Sequence, residues 1–470
     1  MKIYHALPAG LQSGMATLRG HILQWWRYDD NETPVLIAQA RERETWSRER
    51  WADWQRERLT YVLNRAATQV PYYRAHWEAR RRAGDSSSWL ELANWPVLEK
   101  DMVRQNAKAF VADDCTIRRM FKENSSGTTG KPIDFWATRK SVREWYALFE
   151  GRWRNWNGVG RGDPWAIIGG QLVVPVRRKR PPFWIWNSSM QQLYLSAYHL
   201  SPASIPSYLE AMNRRGVRFL WGYSSALYAL AQGAIEARMQ VPTLQVAISN
   251  AEPLLGFQRD LIGQAFGCEV RETYGMTETV AAAAECNFGA LHLWPEVGYI
   301  EILRDGIPMP AGSSGEIVST GLLNADMPLI RYRVGDTAVL GAPSEYCACG
   351  RTLPLLRSVE GRNDDILFTA DGRRIGRLDP VFKAGLHIRE AQIIQESLDR
   401  VRIRFVPGPD YEDRYGRQMI SRLCDRMGDI QVVLEPVDAV ARGANGKFRA
   451  VVCALSPEER RKVREGAHSS

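Results

Sequence analysis

The chain lacks any run of eighteen apolar residues, so no stretch of it reads as a membrane-crossing helix. Its first residues, Met1-Lys2-Ile3-Tyr4-His5, lack the apolar core of a signal peptide, and a cytoplasmic location is expected. Cysteine is scarce: seven in 470 residues build no disulfide scaffold, and an odd count suggests free thiols or a metal site. Internal repeats and low-complexity segments are missing, which sets repeat arrays aside. Extended basic tracts are missing too. The net charge is +9, yet lysine and arginine are scattered, and only Arg177-Arg178-Lys179-Arg180 is compact, ahead of Pro181-Pro182 on an expected solvated loop. Nucleic acid is therefore not the expected partner, and the excess suits a site for a nucleoside triphosphate and an acidic co-substrate.

What remains is an ordinary globular composition, 45% hydrophobic and 24% charged, long enough for two or three domains. From Val35 to about Ala79, Arg, Glu and Trp recur at helical spacing, with Trp46, Trp51 and Trp54 as a packed stripe. One long amphipathic helix is expected there, followed by a second ending near Val70-Pro71. Further on, apolar runs alternate with helical patterns. Strands are expected at 165–170, 218–223, 244–249 and 270–274, with helices at 141–156, 204–215, 224–238 and 254–266 between them. That alternation predicts an α/β fold with a mostly parallel sheet, helices on both faces and ligands at the carboxyl ends of the strands.

After Val297 the pattern changes to short strands with Gly and Pro turns, a small β subdomain over about 297–360. The polar stretch Gly361-Arg362-Asn363-Asp364-Asp365 marks a boundary before a small α+β domain with strands near 391–396, 402–406 and 430–434. The expected division is a helical extension over 1–60, a large domain over 61–362 and a mobile C-terminal domain over 363–470.

Five motifs carry chemistry. Asn124-Ser125-Ser126-Gly127-Thr128-Thr129-Gly130-Lys131-Pro132 combines hydroxyls, glycines and a lysine, so amides, hydroxyls and an ammonium can surround a phosphate. It is no Walker A loop: Ser125 stands where Gly is required, and Pro132 follows the lysine. Tyr274-Gly275-Met276-Thr277-Glu278-Thr279 offers a ring for a base, a hydroxyl for a phosphate oxygen and a carboxylate for Mg2+. A plain strand-to-helix turn capped by Thr277 would have the same composition. Arg331-Tyr332-Arg333-Val334-Gly335-Asp336 sets a carboxylate behind a glycine turn, where it can accept from both ribose hydroxyls. Gly361-Arg362-Asn363-Asp364 follows, and Asn445-Gly446-Lys447-Phe448-Arg449 places a lysine behind a glycine, able to reach developing charge.

In this order and at these separations the motifs resemble the adenylate-forming superfamily of acyl-CoA synthetases, adenylation domains and luciferases over about residues 60–455. Leu193-Tyr194-Leu195-Ser196-Ala197-Tyr198-His199-Leu200-Ser201, Cys347-Ala348-Cys349-Gly350-Arg351 and the segment Asp371 to Pro380 resemble the phenylacetate-CoA ligase branch and its CapK-type members. The resemblance implies that a carboxylic acid, small and open to being an aryl acid, attacks the α-phosphate of ATP, giving an acyl-adenylate and pyrophosphate. The acyl group then passes to CoA or another acceptor. Ser125, Ser126, Gly127, Thr128, Thr129, Gly130 and Lys131 would hold the β- and γ-phosphates; Thr277 and Glu278 would hold the α-phosphate and Mg2+. Ala251, Glu252 and Pro253 would line the adenine with Tyr274 stacked on it; Asp336 would bind the ribose with Arg362 nearby. Lys447 would be the catalytic lysine, and Asp364 the hinge about which the C-terminal domain turns between half-reactions. The stretch Leu367 to Gly372 departs from the usual CoA-ligase glycine loop, which leaves the acceptor open.

Two further readings stay open: an adenylyl transferase passing AMP to a phosphate acceptor, and a non-catalytic nucleotide-binding protein of polysaccharide assembly. Cys286 and His292, with Cys347 and Cys349, form a Cys3His set suited to structural zinc, a feature similar to cysteines of the phenylacetate-CoA ligase branch. His199 is a candidate for the acyl or acceptor site. The aromatics at 183–186 and 221–223 permit an aryl acid. A homodimer is also an expectation.

Overall fold

The computed structural model describes residues 4, 7–125, 133–175, 178–201, 203–362, 367–370, 374–375, 378, 381, 386–443, 448–456 and 458–460, with Arg362 and Arg374 described by backbone alone. The N-terminal part is helical: α1 (Ala9–Arg27), α2 (Glu32–Arg43), α3 (Arg48–Gln69) and α4 (Pro71–Arg82). The expected pair of helices is present, the second ending at Gln69 with Val70 as its cap, but the break between them falls at 44–47, inside the tryptophan stripe. Ser47 begins α3, its side chain accepting from the Arg50 amide at 3.2 Å as an N-cap, and Pro71, where α3 has ended, starts α4. α3 runs without interruption across residue 60. Of the tryptophan stripe, Trp51 is buried, and Trp46 lies against it under the Arg50 guanidinium.

Short helix α5 (Lys100–Gln105) leads to a hairpin of β1 (Phe121–Asn124) and β2 (Asp134–Ala137), and α6 (Arg139–Leu148) follows. α6 continues through a π-helical stretch, Phe149–Arg154, that buries Arg152 completely. Its guanidinium makes two bonds to Glu296, at 2.8 and 2.9 Å, with Glu44 at 3.4 Å, so this buried cation is paired on both sides.

The central elements are β3 (Trp165–Gly169), β4 (Trp184–Asn187), β5 (Gln192–Ser196), α7 (Ile205–Arg214), β6 (Phe219–Tyr223), α8 (Ser224–Ala237), β7 (Val246–Asn250), α9 (Gly256–Phe266) and β8 (Glu269–Gly275). The next strands are β9 (Ala282–Glu285), β10 (Leu291–Leu293), β11 (Gly298–Arg304), β12 (Ile307–Pro308), β13 (Ser314–Gly321), β14 (Tyr332–Leu340) and β15 (Leu355–Arg362). Among the described residues these strands form one sheet in the order β12-β11-β13-β14-β15-β10-β9-β8-β7-β6-β3-β5-β4. β5, β3, β6, β7 and β8 run parallel, as the alternation of strands and helices predicts. From β9 to β15 the wing is antiparallel.

β8 belongs to both parts. Its first half, to Glu272, pairs parallel with β7, and Thr273 to Gly275 pair antiparallel with β9. Chain order reverses direction across the sheet at β3, with β5 on one side and β6 on the other, a topological switch whose crevice opens at the carboxyl ends of the strands.

The C-terminal part has the small β16 (Leu367–Phe368) and β17 (Arg374–Ile375), then β18 (Ile388–Gln395), β19 (Arg400–Pro407), α10 (Asp413–Met427), β20 (Gln431–Pro436) and β21 (Val451–Cys453). Its sheet has the order β20-β19-β18-β21. Met419, Leu423 and Met427 of α10 are buried in a core of their own with Ile393, Ile403 and Phe405. Among the described residues no helix is long and apolar enough to cross a membrane.

Candidate functional site

The site is assembled where β8 leaves the parallel sheet. β8 ends in a tight turn, with the Thr279 amide bonded to the Met276 carbonyl at 3.1 Å and Thr279 at φ +52°. The chain then enters β9, so Thr277 caps no helix. A left-handed β-branched residue is an outlier of the kind that gathers at functional sites, and Ala251, at φ +63° beyond β7, is a second one.

Two phenols fix two carboxylates here. The Tyr274 hydroxyl donates to Asp336 Oδ2 at 2.8 Å, and Asp336 lies opposite Arg362 in the β14/β15 register. The hydroxyl of fully buried Tyr332 donates to Glu278 Oε1 at 3.0 Å. The antiparallel wing thereby brings Tyr274, Asp336, Glu278 and the backbone of Arg362 together across more than sixty residues of chain.

Ala251-Glu252-Pro253 follows β7, at the carboxyl edge beside β8. Glu252 is buried, and its Oε2 accepts from the Ser225 amide at 3.0 Å at the start of α8. Its Oε1 accepts from the backbone amide of Phe448, in the C-terminal domain, at 2.7 Å. The interdomain ion pair among the described residues is half-exposed, Arg389 with Glu236 at 3.3 Å. A cavity of about 390 Å3 opens between the domains, lined by Glu252, Pro253, Arg259, Glu272, Leu378 and Phe448 among others.

That cavity holds charges that motif reasoning missed. Glu285, buried at the end of β9, accepts two bonds from Arg259, at 2.9 and 3.0 Å, and one from the Glu272 amide at 2.6 Å. Burial, with the Glu285 charge adding to it, pushes the Glu272 carboxyl up to about 7. The one signal in the sequence was Glu285 closing the run Val280 to Ala284.

A cleft beside Thr277, Glu278 and Thr279 is lined by Phe121, Trp136, Trp145 and Tyr146. The aromatics singled out in the sequence lie elsewhere. Trp221 is buried and stacked on Phe149, and Trp184 and Trp186 pack against the core under α7 and α8. His199 is stacked on Phe183 with its Nδ1 2.8 Å from Ser196 Oγ, a packing role. Of the phosphate cradle, only Ser125 is described. Its amide and hydroxyl are bonded to the Ile133 carbonyl and amide at 2.9 and 3.0 Å, so the two ends of the loop meet. Ser126 to Lys131, Asp364 and Lys447 lie outside the described residues, as does the Arg362 side chain.

The predicted Cys3His set does come together. Cys286 Sγ lies 3.6 Å from Cys347 Sγ, and Cys349 Sγ 3.4 Å from His292 Nε2. All four candidate ligand atoms lie within 4.8 Å of one another, and no other such group occurs among the described residues. Four ligands on a tetrahedral zinc stand about 3.5–3.8 Å apart, so the spacing fits. Burial holds His292 down at about 4, hence neutral, and its Nδ1 faces the Leu353 carbonyl at 3.4 Å. That contact fixes the tautomer and leaves the Nε2 lone pair for the thiols. Backbone amides of Phe288 and Cys349 point at Cys286 and Cys347 Sγ, at 3.4 and 3.5 Å.

The chain is similar to known proteins in sequence and in fold. Residues 367–454 match the family model described as the CapK C-terminal domain. Protein CapK of Staphylococcus aureus is 23% identical over 412 residues, covering 87% of this chain and 88% of that protein. Phenylacetate-coenzyme A ligase of Aromatoleum evansii is 27% identical over 347 residues, covering 67% and 70%. Among solved structures, a 2-hydroxyisobutyryl-CoA ligase in the postadenylation state with 2-HIB-AMP superposes with a TM-score of 0.68 at 20% identity, over 91% of this chain and 94% of that one. The same ligase in the thioesterification state gives 0.52. The chain has the adenylate-forming fold and resembles the branch that holds phenylacetate-CoA ligases and CapK.

Proposed function

We propose that this protein is an ATP-dependent, AMP-forming acid–thiol ligase. The acid's carboxylate oxygen attacks the α-phosphorus of ATP and the bond to pyrophosphate breaks. The thiolate of CoA then attacks the acyl carbon, and AMP leaves with the carboxyl oxygen. The observation that carries this reading is the bond from the Phe448 amide to Glu252, because it seats the segment next to Lys447 against the nucleotide-binding edge of the large domain. A domain that delivers a lysine to one half-reaction needs such a seat.

The roles follow from the geometry. Tyr274 and Asp336, already joined, would receive the adenine and the ribose. Glu278, oriented by Tyr332, and the adjacent Thr277 offer the hard oxygen ligands that Mg2+ takes, and the ion would supply charge neutralisation on the phosphates. Ser125 to Lys131 would hold the β- and γ-phosphates, Lys447 would stabilise the charge developing at phosphorus, and Asp364 would be the hinge between a large domain ending near 362 and the C-terminal one. The aromatic cleft of Trp136, Trp145 and Tyr146 beside Glu278 encloses about 40 Å3, an apolar wall for a compact acid with no room for an aryl ring unless its side chains move.

Cys286, His292, Cys347 and Cys349 would hold a structural zinc that ties the β9–β10 turn to the loop before β15. Metal analysis of the purified protein should find one zinc per chain; Cys347→Ser should lose it and lower Tm by several degrees, about 2–4 kcal/mol of stability. Full-length protein given ATP, Mg2+, CoA and a panel of aryl, short-chain and hydroxy acids should release AMP and pyrophosphate and form a thioester with one class of acid. AMP retained on another product would overturn the ligase reading in favour of adenylyl transfer, and no turnover in protein that binds ATP would leave a binding role.

A further inference from the structure

Helix α1 carries an apolar face that none of the described residues covers. Leu11, Met15, Leu18, Ile22 and Trp25 recur every three or four residues and are 58, 49, 67, 56 and 55% exposed, far more than isolated surface apolar side chains require. The opposite face is firmly seated. Gly20 lies so close to Asn187 and Ser189 that a Cβ there would collide with both side chains, the Gln24 amide donates to the Ser189 carbonyl at 2.5 Å, and Ala16 packs on Val173, Val174 and Ile185. The stripe is thus held outward by a rigid attachment to the edge strand β4.

Along the helix itself the charge has one sign, and the nearby acids Glu123 and Asp30 face Arg27 and Arg161. α1 contains no Asp or Glu, while Arg19 and His21 flank its exposed face. The compact basic run of the sequence lies beside it: Arg178 reaches Gln12 Oε1 at 3.5 Å, and the next residues, Lys179 and Arg180, are exposed. At the other end the Arg139 guanidinium sits 3.7 Å over the Trp25 ring. The acids that follow the helix, Asp29, Asp30 and Glu32, are each paired with Arg143 or Arg161.

We propose that α1 is a membrane-surface anchor that lies in the interface of an anionic bilayer, with its apolar stripe among the acyl chains and the basic residues on the headgroup phosphates. An outward apolar stripe bordered by unopposed cations is the pattern of an interfacial helix, whose binding sums buried apolar area and attraction to anionic lipid. A second copy of the chain fits less well. The stripe has the spacing of a coiled-coil seam, but its flanks offer Arg19 and His21 with no acid to meet them, so self-pairing would oppose like charges. The proposal does not depend on the ligase reading.

The test is co-sedimentation of the full-length protein with vesicles of phosphatidylcholine alone or with about 30% phosphatidylglycerol. Most of the protein should pellet with the anionic vesicles at low salt, several-fold less with the neutral ones, and less again at high salt. Leu18→Glu/Ile22→Glu should cut binding by about ten-fold or more with Tm unchanged, since both positions are exposed, and Lys179→Glu/Arg180→Glu should remove the preference for anionic lipid. Three results would overturn the proposal: no partition onto anionic vesicles, equal partition by the double-Glu variant, or a two-chain mass in light scattering that falls to one chain in that variant. The last would assign the stripe to a second copy.

Discussion

The two halves of the candidate site are held by different physics. On the large-domain side, Tyr274 with Asp336 and Tyr332 with Glu278 are bonded inside a continuous sheet, and Tyr332 is fully buried. Such pairs are fixed by cooperative packing and survive as long as the domain is folded. On the C-terminal side, the contacts with the large domain among the described residues include the amide-to-carboxylate bond from Phe448 beside the cavity, a half-exposed ion pair and the packing of Phe257 on the C-terminal core. Bonds of that kind contribute about 1–3 kcal/mol and are made and broken without unfolding anything. One half is locked into a sheet, and the other is joined by few, weaker contacts, as the proposed movement of the C-terminal domain requires. A two-step reaction that needs the lysine in the first step only requires this asymmetry.

The largest effect is expected from breaking the rigid half. Asp336→Ala removes the proposed ribose acceptor and frees the Tyr274 hydroxyl; kcat/KM for ATP in pyrophosphate exchange should fall by about 10²–10³, through 3–4 kcal/mol of lost binding and orientation. A smaller and different effect is expected at the mobile half. Glu252→Gln keeps the shape but replaces one carboxylate oxygen by an NH2 group that cannot accept, so only one of the two bonds, from Ser225 or from Phe448, can be kept. Domain docking should weaken by about ten-fold, so exchange falls while thioester formation from added acyl-AMP is unchanged or faster. Equal loss in both half-reactions would remove the asymmetry.

The smallest effect concerns pH. Glu272 titrates at about 7 in the folded protein, above its ordinary value near 4.5, so the folded state binds the extra proton between those pH values. Stability from this group is complete below the ordinary value and is lost as pH rises through 7. Tm of the natural protein should therefore fall between pH 5 and 8, and Glu272→Gln should flatten that fall; an unchanged slope would mean that the cavity carboxyl stays ionised.

Much of the fold could be read from local pattern. The strands at 165–170, 218–223 and 244–249 stand out because parallel strands covered on both faces are rich in apolar residues, while Val270-Arg271-Glu272-Thr273-Tyr274 is marked by its place after the helix at 254–266 and at the start of the Tyr274 motif. The motif residues Tyr274, Glu278 and Asp336 were singled out by type and by the order of the motifs, and the structure holds them in two phenol–carboxylate pairs. The phenol of Tyr332 was not, since nothing local says that its hydroxyl reaches Glu278, 54 positions away. The Arg259–Glu285 pair and the Arg152–Glu296 pair were hidden for the same reason: charged side chains far apart in sequence look solvated until tertiary structure buries them. The seat of Phe448 on Glu252 was hidden more deeply, because the motif at 251–253 suggests only an adenine contact. The helix break before Ser47 was readable as an N-cap, and the tryptophan spacing masked it.

The most direct test of the account is to assay Lys447→Ala in both half-reactions with the acid the protein accepts. ATP–pyrophosphate exchange should drop by at least about 10³, with ATP binding and thioester formation from pre-formed acyl-AMP near those of the natural protein. Retained exchange, or loss of both half-reactions together, would contradict the claim that the C-terminal domain delivers this lysine to adenylation alone.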